Sequence, residues 1–282
     1  MLAMDKQKTI ENAAKVVKYL IMLILAIITI FPFVVIIWVS LKSESDLQVS
    51  PWGFPKSVAF SNYYLAAKEG QFVTGYINSI IVTVTATLGQ IIFGVMASYS
   101  LVKMKVKGKK FFEIFFIAPM VFPIQVVMIP LFMIFRYMHL VNSLIGVIIV
   151  SVSLGIALDI FIFSSFLSSI PLEISESAFV EGAAHIRVLF QIIMPMMKPV
   201  VTTAVITSGV GVWNDFFGPL LLLSKKNLFT LPLRLFTFQS EFFSRWTLVC
   251  TGIVYLVIPI IIVYMFLQKY IVAGAISGAV KG

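Results

Sequence analysis

"ESAFVEGAAHIRVLFQIIMPMMKP", residues 176–199, is a charged, helix-patterned island in a chain of 282 residues that is 60% hydrophobic. It carries Glu176, Glu181 and Arg187 early and Pro195 and Pro199 late. Apolar runs at 143–167 and 200–223 flank it. About 20 apolar residues cross the hydrocarbon core as a helix. The island is therefore a loop that joins two membrane spans on one face of a bilayer.

Outward from the island, four more runs qualify, at 16–41, 77–102, 111–135 and 248–268. Only helices and closed barrels satisfy the backbone in lipid, and these runs are too long for barrel strands. The expected fold is an all-α polytopic membrane protein with six spans. Its 12% of charged residues lies well below the roughly 25% of soluble proteins. Lys6, Lys8, Lys15 and Lys18 accompany the first run, which is too long for a signal peptide and lacks a small-residue cleavage site, so it reads as a retained helix.

With the N-terminus inside, 13 of the 21 basic residues fall on inner segments, including the five lysines of "KMKVKGKK" (103–110). Cytoplasmic loops carry such an excess, so the net charge of +9 needs no nucleic acid to explain it. The lysine run reads as a topology anchor or as a contact for anionic lipid. Trp38, Trp52, Trp213 and Trp246 all fall toward the outer side, as an interfacial belt would. Both termini are expected in the cytoplasm, with residues 1–15 as an inner segment, 16–282 as the transmembrane domain and 269–282 as an inner tail.

Several chemistries are excluded. The chain has no GxxxxGK[ST] loop, Cys250 stands alone, and His139 and His185 are isolated, so no nucleotide fold, disulfide framework or metal cluster is expected. Prolines 32, 119, 123, 130, 219 and 259 lie inside spans. Three of them crowd the third span, which makes Pro123 a candidate for a broken pathway helix. Asp159 sits mid-span; it either lines a pathway or bonds a neighbouring helix. Asn214 and Asp215 are further pathway candidates, although the neighbouring Trp213 and Asn214 favour an interfacial structural role for Asp215; Glu113 reads as interfacial.

In the loop at 169–199, Ser169 can cap a helix, Pro171 suits its first turn and Glu173 its positive end. Leu172, Phe179 and Ala183 would share one face, and Gly182 would end the helix. Ile186, Leu189, Phe190 and Ile193 then follow at i, i+3, i+4 and i+7, as on a second amphipathic helix. Such an element either rests on lipid headgroups or docks into a soluble partner.

The island resembles the EAA motif of the membrane-spanning subunits of ATP-binding-cassette importers, matching at Glu176, Ala178, Gly182, Ile192 and Pro195. Ser177, Glu181 and Met194 depart from the motif by small changes. "VSLKSESDL", "YINSIIVT", "WNDFFGPLLLL" and "GAVKG" extend the resemblance along the MalG-type carbohydrate importer branch. The resemblance implies a non-enzymatic permease subunit in the bacterial cytoplasmic (inner) membrane, paired with a second, different permease. It implies two ATPase subunits that hold ATP and Mg, no cofactor on this chain, and an external sugar-binding protein. The ATPase would dock on Glu176, Ser177, Ala178, Phe179, Glu181, Gly182, Ala183 and Arg187, with Val280, Lys281 and Gly282 close to it. Leu235, Phe238, Gln239 and Phe242, in the outer loop, would meet the binding protein. In relatives, sugar contacts come largely from the partner permease, which leaves a substrate role for Asp159 in doubt.

A secondary transporter is the alternative class, but it would want paired intramembrane ionisable residues. A membrane scaffold or receptor would need no kinked helices.

Overall fold

A computed structural model describes residues 2–104, 106–241 and 245–279, and among them there is no strand. In chain order the helices are α1 (Leu2–Ser40), α2 (Glu44–Val49), α3 (Ser61–Glu69), α4 (Phe72–Lys103), α5 (Lys109–Ile117), α6 (Ile124–Tyr137), α7 (Leu144–Ser168), α8 (Glu173–Val180), α9 (His185–Val188), α10 (Met194–Met196), α11 (Lys198–Trp213), α12 (Phe217–Leu222), α13 (Leu231–Glu241) and α14 (Trp246–Ala279). A π-helical turn, Leu189–Ile193, separates α9 from α10.

Four single helices are long and apolar enough to cross a membrane: Ala14–Ser40, Phe72–Lys103, Leu144–Ser168 and Trp246–Phe266. The third expected span is instead bent by 108° between Lys109–Val121 and Ile124–Tyr137. Proline disfavours helical backbone in the residue before it. Phe122 accordingly sits at φ −94°, ψ 125°, and Pro123 at ψ 134°. The fifth expected span also divides. Sixteen-residue α11 reaches only about 24 Å at 1.5 Å per residue, short of the hydrocarbon core. It stops at Trp213, and α12 resumes at Phe217.

The chain forms two compact units, Met1–Gly70 with Phe238–Tyr255, and Gln71–Thr237 with Leu256–Gly282. In the first, the apolar stretch of α1 is exposed on every side, from Val16 to Phe33. A helix that is apolar all round belongs against lipid or another protein. Its end is knotted by polar groups, because the last carbonyls of a helix lack intrahelical partners. Asn62 Nδ2 donates to the Ser40 and Lys42 carbonyls at 2.9 and 2.7 Å, and fully buried Lys42 donates Nζ to Ser50 O at 2.5 Å. Glu44 accepts from Thr247 N at 3.1 Å.

The second unit has two apolar cores. One gathers Val95 and Tyr99 of α4, Phe163 and Leu167 of α7, and Val188 and Ile193 of the island. The other gathers Val82 and Ala86 of α4, Val147 and Val150 of α7, and Leu222, Phe229 and Leu233. Within a bilayer such burial stabilises through close van der Waals packing and interhelical hydrogen bonds rather than through removal of apolar surface from water. α4 and α7 run through both cores. Gly94 permits their close approach, since a Cβ there would lie 3.2 Å from Asp159 Cβ.

Candidate functional site

The island folds as two short helices around Gly182, whose φ of +84° is the left-handed backbone that favours glycine. Its beginning differs from the sequence reading. α7 continues to Ser168, so Ser169 caps the end of α7 rather than the start of α8, which begins at Glu173 with Leu172 at its N-cap.

The apolar faces differ too. Leu172, Ile186 and Phe190 are exposed, whereas Ala178, Val188, Leu189, Ile193 and Met197 are buried in the first core. The π-helical turn is the cause. It adds a residue to the turn, so Val188 and Ile193, five apart, come to the same side. A 3.6-residue period misses that register.

Of the docking candidates, Glu176, Ser177, Glu181, Gly182 and Arg187 are exposed on either side of the turn. Phe179 and Ala183 are half-buried against the core, and Phe179 meets the His185 ring at 4.5 Å. Ala178 is a correction: it is 7% exposed and packs into the chain's own core, so it offers no contact surface. Val180, 89% exposed beside the turn, was missed; the sequence gives it no partner on the apolar face. Ser177 Oγ bonds back to the Glu173 carbonyl, and Arg187 Nε donates to Gln191 Oε1 at 2.9 Å. Among the described residues Glu176 and Glu181 have no ion-pair partner.

The pathway candidates separate. Asp159 is fully buried within the second unit, and Ser208 Oγ of α11 donates to its carboxyl oxygens at 2.9 and 3.2 Å. Of the two readings open for Asp159, the geometry is that of a bond to a neighbouring helix. Asp215 Oδ1 accepts Gly218 N–H at 3.2 Å and caps the start of α12, a structural role, and Asn214 is exposed in the break before it. Exposed Pro123 stands at the bend of the third span. Glu113 pairs with Lys109 at 3.7 Å. Trp213 is no belt residue: it is 7% exposed and donates Nε1 to Leu256 O at 3.2 Å, in the turn that Pro259 loosens. A groove of about 520 Å³ between α4, α11 and α14 is lined by apolar side chains with Thr83 and Thr87.

The segment after α12 is held by groups that sequence reading did not single out. Asn78 Nδ2 donates to Asn227 O and Phe229 O at 2.9 and 3.1 Å, and Ser79 Oγ accepts Leu231 N–H at 2.8 Å. Arg234, 4% exposed, donates Nη1 to Gln71 Oε1 at 3.0 Å and Nη2 to Lys226 O at 2.6 Å. Burial lowers its pKa from the usual arginine range. Their signal was the polar pair Asn78–Ser79 opening an apolar run. Of the binding-protein candidates, Leu235 and Gln239 are half-buried, and Phe238, at 3% exposed, points inward. Helical spacing instead exposes Phe236, at 50%. Phe242, Val280, Lys281 and Gly282 lie outside the described residues.

Residues 90–276 match the family described as binding-protein-dependent transport system inner membrane component. The chain is 32% identical to the melibiose/raffinose/stachyose import permease protein MelC of Bacillus subtilis, covering 89% of this chain and 91% of that one. It is 29% identical to the arabinooligosaccharides transport system permease protein AraQ of the same organism, over 93% of this chain and 94% of that one. A solved bacterial ABC transporter involved in import of the acidic polysaccharide alginate superposes with a TM-score of 0.80 at 26% identity, covering 92% of this chain and 96% of that one. With its apolar helices, broken third span and Gly182-hinged island, the chain belongs to the family of binding-protein-dependent transport system inner membrane components.

Proposed function

We propose that the chain is the membrane-spanning permease subunit of an ATP-driven importer that takes up oligosaccharides delivered by an external binding protein. It works beside a second, different permease subunit and on two cytoplasmic ATPase subunits. ATP and Mg act on the ATPase, and this chain carries no cofactor and performs no hydrolysis. The lysine bias supports an orientation with the N-terminus, the island at 169–199 and the C-terminal tail in the cytoplasm of a bacterial inner membrane.

The observation that carries this reading is the two-sided island. Its apolar side is locked into the core by Val188, Ile193 and Met197, while Glu176, Val180, Glu181 and Arg187 face away, unshielded. An element that merely rested on lipid would turn its apolar side to the headgroups. This one spends that side on its own bundle and offers a charged, apolar-tipped knob outward, as docking into a soluble groove requires. The relatives' names support the substrate class. The groove between α4, α11 and α14 has few polar groups for a sugar to bond, in keeping with sugar contacts from the partner permease. A secondary transporter is disfavoured, since Asp159 is closed on Ser208.

The test is co-purification with the neighbouring permease and ATPase subunits, followed by reconstitution in vesicles. ATP hydrolysis is expected to rise on adding binding protein loaded with oligosaccharide, with ATP-dependent uptake of the labelled sugar. If no ATPase subunit co-purifies, and uptake follows an ion gradient instead, the reading is wrong.

A further inference from the structure

Within the unit formed by Gln71–Thr237 and Leu256–Gly282, two helices run unbroken through both cores. α4 has 32 residues and α7 has 25, and neither contains proline. At 1.5 Å per residue they reach about 48 and 38 Å, long enough to cross the bilayer. Their neighbours are interrupted, α5 from α6 at Pro123 and α11 from α12 after Trp213.

α4 and α7 are also cross-bonded through buried groups. Gln90 Nε2 donates to Ser151 O at 2.7 Å, and Ser98 Oγ to Ile160 O at 3.1 Å. Gly155 makes room for Gln90, since a Cβ there would sit 2.2 Å from Nε2. The two bonds tie α4 to α7 at two separate levels of the helix pair.

At one end the pair holds both halves of the outer segment's opening turn. Asn78 of α4 holds the Asn227 and Phe229 carbonyls. Asn142, in the turn before α7, accepts at Oδ1 from Ser224 N, Ser224 Oγ and Lys225 N at 2.7, 2.8 and 3.1 Å. Its own N–H donates to Leu222 O at 2.7 Å. Asn142 has φ +57°, a conformation asparagine tolerates better than most side chains. At the other end, Lys103 of α4 donates Nζ to the Ile170 carbonyl at the entrance to the island, and α7 leads through Ser169 into α8.

We propose that α4 and α7 form a strut that carries the arrival of the binding protein at the outer segment to the island, with Asn78 and Asn142 as the positioning residues that lock its outer end. This rests on the permease reading above. The strut couples the two ends because its cross-bonds leave no flexible joint between them. Asn78 and Asn142 hold backbone groups of the segment, so their loss frees the segment while leaving the strut and the island intact.

The experiment uses the full reconstituted transporter, with hydrolysis measured with and without sugar-loaded binding protein. Asn78→Ala and Asn142→Gly are expected to assemble and to keep basal hydrolysis. Their stimulation by binding protein should fall by about fivefold or more, the low end of ordinary allosteric coupling. Asn142→Asp retains the Oδ1 acceptor and should keep its stimulation. Full stimulation in Asn78→Ala and Asn142→Gly overturns the proposal. So does a proportional loss of basal and stimulated hydrolysis, which marks a merely structural role. So does loss of stimulation in Asn142→Asp as severe as in Asn142→Gly. A wild-type complex that binding protein does not stimulate fails the permease reading itself, before any variant is compared.

Discussion

Ser208 Oγ reaches the carboxyl of Asp159 at 2.9 Å across the α7–α11 contact, and the Asp159 side chain is wholly shielded from solvent. A polar group at membrane depth that finds its partner inside the bundle stabilises helix packing. Ser208→Ala is expected to destabilise the protein by about 1–3 kcal/mol, since it leaves a buried acceptor short of a donor. Asp159→Asn, which can still accept from Ser208, should cost less than Asp159→Leu. Sugar selectivity should not change in any of them. Thermal unfolding in detergent, with uptake competition between sugars, checks both halves; altered selectivity would return Asp159 to the pathway.

The turn at Gly182 gives a second prediction. A Cβ there would meet no atom within 4 Å, so the obstacle to substitution is φ +84° alone. That conformation costs a side-chain residue roughly 1–2 kcal/mol. Gly182→Leu is expected to fold and assemble yet to hydrolyse ATP without matching uptake. Gly182→Asn, which tolerates left-handed backbone, should lie nearer the parent. The ratio of sugar taken up to ATP hydrolysed is the measurement, and normal uptake by Gly182→Leu would refute docking through this turn.

Four of the six expected spans and the island were legible in the sequence because length and hydropathy decide them: the run at 77–102 lies within α4, and Gly182 turned the chain where expected. Register was not legible. Ile186 and Phe190 fit a helical period, but the π-helical turn at Leu189–Ile193 put Val188 into the core instead. Nothing local distinguishes those residues as π-formers; the packing of Val188, Ile193 and Met197 against α4 and α7 selects the register. The break after Trp213 was not legible either, because the apolar run continues through 216–223 and only the bond from Gly218 N–H to Asp215 marks the new start at α12.

That register separates stability from docking on neighbouring side chains. Ile193→Ala removes a fully buried side chain and should cost about 2–5 kcal/mol. Ile186→Ala, 72% exposed, and Val180→Ala, 89% exposed, should leave stability within about 0.5 kcal/mol. Both should nonetheless lower the yield of co-purified ATPase. Unfolding curves and pull-down of the ATPase subunit read the two effects separately; an Ile186→Ala destabilised as much as Ile193→Ala would restore the simple helical period.

Pro123 offers the last prediction. The 108° bend needs non-helical backbone at Phe122, which proline favours by crowding the residue before it. Pro123→Ala removes that restriction and restores an N–H, so the segment gains access to a continuous helix across 117–126. Pro123 is exposed, so little packing is lost and stability should change by less than about 1 kcal/mol. Transport should respond more strongly, because a straightened segment moves either α5 or α6 away from its place beside the unbroken helices. Uptake is expected to fall while thermal stability holds. Unchanged uptake would show that the bend persists without proline, held by the remaining contacts of α5 and α6.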